Sequence, residues 1–239
     1  MGLLETTCVE VTAADVEKSG TMSSRRLMQL LILAAMDRNR VEGGSKIRLR
    51  EQFGAVWMVR RVRMEQYAPI YEGDVLNGFA TGRTMLTQEI ALGGEFRRNG
   101  ETVARIELVM IAVNLKERFK LKAADVNTLY QTEPTNEAEA FPRLAMDSEF
   151  PYVHERTITE ADCDENANHF ASHCYVDLVA QEVNVPADGM IRLLQIDYVK
   201  ECVAGDTVRL GAKAVEGGYA VQGIHANGKP CFNAYCVYA

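Results

Sequence analysis

The sequence predicts an α+β fold made twice over: two tandem units, each a long helix wrapped by an antiparallel β-sheet. Three observations carry this. Segments recur in the same order along the chain, each half holds an apolar helical stretch, and Asn-Gly turns separate alternating apolar runs at matching places.

The repeat is visible as three matched pairs. ADVEKSGTMSSRRLMQL from Ala14 aligns with ADCDENANHFASHCYVD from Ala161. YEGDVLNGFATG from Tyr71 aligns with VAGDTVRLGAKA from Val203. NGETVARIELVM from Asn99 aligns with NGKPCFNAYCVY from Asn227. In the first half, the spacing predicts a helix over 23–38, apolar on nearly all sides (Leu27, Leu30, Leu31, Ile32, Ala34, Ala35) and therefore buried. The strands that follow it, AVWMVRRVRMEQY, DVLNGFATGR, MLTQEIALGGEFRR and TVARIELVMIAVNL, alternate and are rich in β-branched residues. Pro134 and Pro142 mark a polar crossing segment. The expected boundaries are 1–118, a linker over 119–150, and 151–239. A buried helix inside its own sheet, made twice, is the double hotdog arrangement.

Composition narrows the function. A net charge of −7 argues against nucleic acid, whose phosphates need a basic surface. The apolar run from Leu27 to Met36 is short for a bilayer, which takes roughly 20 residues, and no membrane insertion is expected. The N-terminus lacks a signal-peptide pattern, and the six cysteines form no CxxC pair or zinc-ligand spacing, so they read as reduced thiols of a cytoplasmic protein. His169 and His173 stand four apart, but without a third ligand no metal is expected. His154 and His225 carry no motif and read as surface or strand residues.

The polar cluster ADCDENANHFASHCY (161–175) directly precedes the second apolar helix. Asp164, Glu165, Asn166, His169 and Tyr175, with Glu201-Cys202 later in DYVKECVAGDTV, resemble the acyl-ACP thioesterases of bacteria and plastids. In that family a D-x-N-x-H motif opens the second hotdog helix and a Glu-Cys pair follows on a later strand. Here two residues rather than one separate Asn166 from His169, so either Asn166 or Asn168 fills the Asn position. Ala171-Ser172 replace the Asn-Asn pair that follows the His. The resemblance implies a tandem double hotdog that hydrolyses acyl-ACP to free fatty acid and holo-ACP in fatty acid biosynthesis, with no cofactor. It implies a catalytic set of Asp164, Asn166, His169, Glu201 and Cys202, with the acyl-chain pocket in the first half.

The chemistry suits these residues. Thioester hydrolysis needs an activated water and an oxyanion site, and amides near 170–172 at a helix start would supply the latter. Glu201 reads as general base or nucleophile, and His169 as a group that binds carbonyl or water. Cys202 reads as a Cys-His nucleophile or a buried small hydrophobe. Against the first-half repeat, Met22 aligns with His169 and Pro69-Ile70 with Glu201-Cys202, so neither polar group is demanded by the scaffold. Met28, Met36, Met58 and Met64 are candidate pocket lining or core. For an acidic carrier protein, Lys116, Lys120, Lys122 and Arg61 are the expected substrate-binding cations, alongside Asn168. An acyl-CoA thioesterase and a non-catalytic acyl- or ACP-binding hotdog protein are the alternatives. Two units in one chain are compatible with a monomer or a homodimer.

Overall fold

Two repeats of one hydrogen-bonding plan build the molecule. A computed structural model describes residues 3–146, 149–163, 169–186 and 189–239. The first half runs β1 (Leu4–Glu10), α1 (Ser24–Val41), α2 (Lys46–Phe53), β2 (Ala55–Gln66), β3 (Val75–Met85), β4 (Ile90–Arg98) and β5 (Glu101–Asn114). A short helix α3 (Ala123–Asn127) lies in the crossing segment. The second half is β6 (Tyr152–Thr157), α4 (Tyr175–Glu182), β7 (Ile191–Tyr198), β8 (Thr207–Val215), β9 (Gly218–His225) and β10 (Pro230–Tyr238).

Among the described residues, ten strands form one antiparallel sheet in the order β1-β3-β4-β5-β2-β7-β10-β9-β8-β6. Read outward from its centre in either direction, each half has the same order, with β2 corresponding to β7 and β5 to β10. The halves join where β2 pairs with β7, from Arg61 opposite Asp197 to Glu65 opposite Leu193. The hotdog fold is therefore present as a continuous double sheet, with apolar packing that runs through both halves.

The repeat extends to single hydrogen bonds. Gly73 N–H donates to Val11 C=O at 2.8 Å, and Gly205 N–H to Ile158 C=O at 2.9 Å. Both glycines adopt positive φ, 85° and 92°, which the Gly-Asp turn requires. Asp15 Oδ2 accepts from the Thr12 amide and hydroxyl, and Asp162 Oδ2 from those of Thr159. Both Asn-Gly hairpins form, with different turns. Asn99 and Gly100 both take positive φ, giving the primed turn, whereas only Gly228 does so in the second, after a turn closed by Gly228 N–H to His225 C=O at 2.8 Å.

Helix α1 starts where Ser23 caps it, its hydroxyl accepting from Arg26 N–H. Leu27, Met28, Leu31, Ala34 and Ala35 face the sheet, but Leu33 is 58% exposed, so burial is one-sided rather than all round. The second helix is shorter: a 3-10 turn at Ser172–Cys174 leads into only eight residues of α4, with Asn184 in the left-handed region soon after its end. The crossing segment is anchored by a buried charge cluster. Glu42 accepts from Arg38 at 2.8 Å and Arg83 at 3.1 Å, while Arg83 also donates to Thr132 C=O at 2.6 Å and stacks on Tyr130.

Candidate active site

The site is assembled by a short antiparallel pairing between segments far apart in sequence. His169 bridges Val203, and Phe170 N–H donates to Cys202 C=O at 2.7 Å. Opposed residues in such a pair share a face. Phe170 and Cys202 point into the core, at 3% and 1% exposure. His169 therefore shares the outer face with Val203 and with Glu201, which is solvent-exposed. His169 and Glu201 are diagonal neighbours, positions separated by about 7–8 Å and within reach of long side chains. Asp164, Asn166 and Asn168 lie outside the described residues.

Tyr175 holds this segment down. Its ring sits edge-on against Phe170, Tyr198 and Phe232 at 4.5, 5.0 and 5.1 Å between centroids. Tyr198 adds a hydrogen bond from its hydroxyl to Ser172 C=O at 2.8 Å. The motif's Tyr is thus a packing anchor, fixing where His169 emerges.

The first half performs the same pairing without the polar groups. Met22 N–H donates to Ile70 C=O at 2.7 Å, and Thr21 bridges Tyr71. Cys202 does correspond to Ile70, but the counterpart of His169 is Thr21, not Met22. The reason is length: Val16 bridges Met22, whereas Cys163 bridges Phe170, so the second half has one more residue between its bridged positions. That insertion falls between Cys163 and His169.

Two expected oxyanion donors are already used. Phe170 N–H is bonded to Cys202, and Ala171 N–H donates to Asp162 C=O at 3.0 Å, as Ser23 N–H does to Asp15. These bonds belong to the repeated scaffold. Ser172 N–H, at the first position of the 3-10 turn, is the next amide along. His169 and His173 are also not one helical turn apart, since His169 is extended and His173 lies in the 3-10 turn.

Cys202 does not face His169. The Cys231 thiol and then the Tyr175 hydroxyl, both facing its sulfur, hold the Cys202 thiol below its usual pKa despite burial. Its neighbouring imidazole is His225, absent from any sequence motif. Glu201 lines a surface groove of about 590 Å³, together with Asp206, His225 and Asn227.

Arg61 is a correction to the expected cation set. It is 6% exposed and held in a two-pronged pair with Glu89, at 3.1 and 2.7 Å, with Phe141 beside it. A buried, neutralised guanidinium is not available to a carrier protein. Lys116, Lys120 and Lys122 are all exposed, as is Arg118. They share an end of the sheet with Glu201. Strand β5 finishes at Asn114 opposite the start of β2, and β2 runs antiparallel to β7, which leads to Glu201.

No protein-family model matches the sequence, and no curated protein matches it either. Solved structures do match in fold. An acyl-ACP thioesterase from Bacteroides thetaiotaomicron superposes with a TM-score of 0.81 at 16% identity, over 98% of this chain and 96% of that one. A 12:0-ACP thioesterase from Umbellularia californica gives 0.78 at 16% identity, over 98% and 96%. HtdX from Mycobacterium tuberculosis gives 0.61 at 14% identity, over 97% and 99%. No helix among the described residues is long and apolar enough to cross a membrane.

Proposed function

We propose that the chain hydrolyses the thioester of an acyl-acyl carrier protein, releasing a free fatty acid and the carrier's thiol, as an enzyme of fatty acid biosynthesis. The observation that carries this reading is the backbone pairing of His169 and Phe170 with Val203 and Cys202, which brings His169 beside the segment that bears Glu201 at the place where the second half departs from its repeat. The whole-length similarity to acyl-ACP thioesterase structures supports it.

In this reading, the Glu201 carboxylate accepts a proton from the attacking water as the new C–O bond forms. His169 hydrogen-bonds the thioester carbonyl, and the Ser172 amide adds a second donor as negative charge grows on that oxygen. The C–S bond then breaks, and the departing sulfur takes up the proton held by Glu201, which returns the carboxylate to its starting form. Asp164 and one of Asn166 and Asn168 complete the set, orienting the imidazole and the water. The acyl chain extends into the apolar interior beneath α1, where Met28 and Met64 are buried and Met36 packs at the edge.

The carrier docks on Lys116, Arg118, Lys120 and Lys122. This patch also exposes Leu115 and Phe119, at 48% and 45%, giving an apolar centre within a basic rim. It offsets the chain's overall charge of −7, which would otherwise repel an acidic partner. Thiol release from a panel of acyl-ACPs and matched acyl-CoAs tests the assignment. Turnover favouring the carrier-bound thioester is expected. Equal or better use of acyl-CoA would move the assignment to a coenzyme A thioesterase, and tight carrier binding without turnover to a binding protein.

A further inference from the structure

Behind the proposed reaction face lies a second cluster that the hydrolytic reading does not use. Cys202 precedes β8, His225 ends β9, and Cys231 opens β10; all three are buried, at 1%, 8% and 0% exposure. One potential ligand atom from each lies within 4.8 Å of the others. Tetrahedral zinc with bonds of about 2.3 Å to sulfur and about 2.0–2.1 Å to nitrogen would place such atoms about 3.6–3.8 Å apart. The cluster therefore needs only a small contraction to close on an ion.

The imidazole supplies the independent sign. His225 Nε2 is buried and, among the described residues, has no hydrogen-bond partner, although unsatisfied buried polar atoms are costly. Its other nitrogen, Nδ1, faces Asp206 Oδ2 at 3.8 Å. At that distance the pair is an ion-pair contact rather than a hydrogen bond, and the carboxylate stands on the side of the ring where an outer-shell partner of a metal-bound imidazole sits.

We propose that Cys202 Sγ, Cys231 Sγ and His225 Nε2 bind a soft divalent cation of the zinc class, with Asp206 orienting the imidazole. Both thiols lose their protons to solvent as the metal–sulfur bonds form, with no change of oxidation state. Three ligands leave one tetrahedral position for water. The ion ties the Glu201-Cys202 segment to the β9–β10 hairpin, so its effect on the neighbouring site is one of position. The ligands come from three separate places in the chain, which is why no sequence spacing announces them.

Zinc content and cobalt absorption of the folded, full-length protein, kept reduced with a non-thiol reductant, test this. Wild type is expected to retain one zinc per chain after dialysis and to melt at higher temperature with it. Cobalt is expected to give an intense near-ultraviolet thiolate charge-transfer band. His225→Ala and Cys231→Ser should weaken binding by more than about 100-fold, and Asp206→Asn, an outer-shell change, by about 10–100-fold. Circular dichroism checks that each variant folds, and Asp206→Asn leaves the buried ligands in place. Absence of stoichiometric zinc in the reduced wild type, cobalt uptake without the thiolate band, or uptake unchanged in Cys231→Ser and Asp206→Asn would overturn the proposal.

Discussion

Replacing Glu107 with Gln is expected to stabilise the protein at neutral pH, by an amount that grows as the pH rises. Glu107 lies in β5 at 9% exposure, and its carboxyl accepts the Glu139 N–H at 3.0 Å. Burial is the largest influence on it and pushes its pKa from 4.5 up to about 8. Between those limits the folded chain keeps a proton that the unfolded chain has released. Stability must then fall as pH rises, by about 1.4 kcal/mol per pH unit. Across the interval from 4.5 to pH 7, this amounts to about 3 kcal/mol lost. The Gln variant keeps an oxygen for the Glu139 amide and carries no charge, so that loss should vanish. Urea denaturation of both proteins from pH 5 to pH 8 reads it directly. Curves that converge near pH 5 and separate by about 3 kcal/mol at pH 7 are expected. Parallel curves over the range would refute the reasoning, because Glu107 would then be ionised in the folded state at low cost.

Glu42→Ala should destabilise the fold by about 3–5 kcal/mol, since it strands the buried guanidiniums of Arg38 and Arg83; the urea midpoint checks this. Reversing Lys116, Lys120 and Lys122 to Glu should lower kcat/KM for acyl-ACP at least about tenfold, mostly through slower association, while hydrolysis of a short synthetic thioester stays unchanged. Raising the salt should erode the wild-type advantage over that variant.

The fold was legible because it is repeated. The Gly-Asp turns at Gly73 and Gly205, the Asn-Gly hairpins and the alternating strands are local signals that reappear in order. The joining of β2 to β7 into one sheet has no such signal, because strand partnership at a seam depends on tertiary contact. The length of α4 was also hidden, since the same apolar spacing serves a 3-10 turn and a helix. At the proposed site, residue type and absence from the first half are what single out His169 and Glu201. A gap-free alignment sets Met22 against His169; the bridges show that the second half has one more residue between its bridged positions, and Thr21 takes that place. Arg61 read as a cation for the carrier protein, yet it is consumed by Glu89. Side-chain pairing of this kind leaves no trace in sequence. The proximity of His225 and Cys231 to Cys202 leaves no trace in sequence for a related reason: it is created by the sheet.

The most direct test is thiol release from acyl-ACP in a single turnover, comparing wild type with Glu201→Gln and His169→Ala, with carrier binding measured in parallel. Loss of at least about 100-fold in the rate for each variant, with binding retained, is the expected result for groups acting on the reacting atoms. A Glu201→Gln rate equal to that of wild type would contradict the assignment of the outward face shared by Glu201 and His169 as the site of hydrolysis.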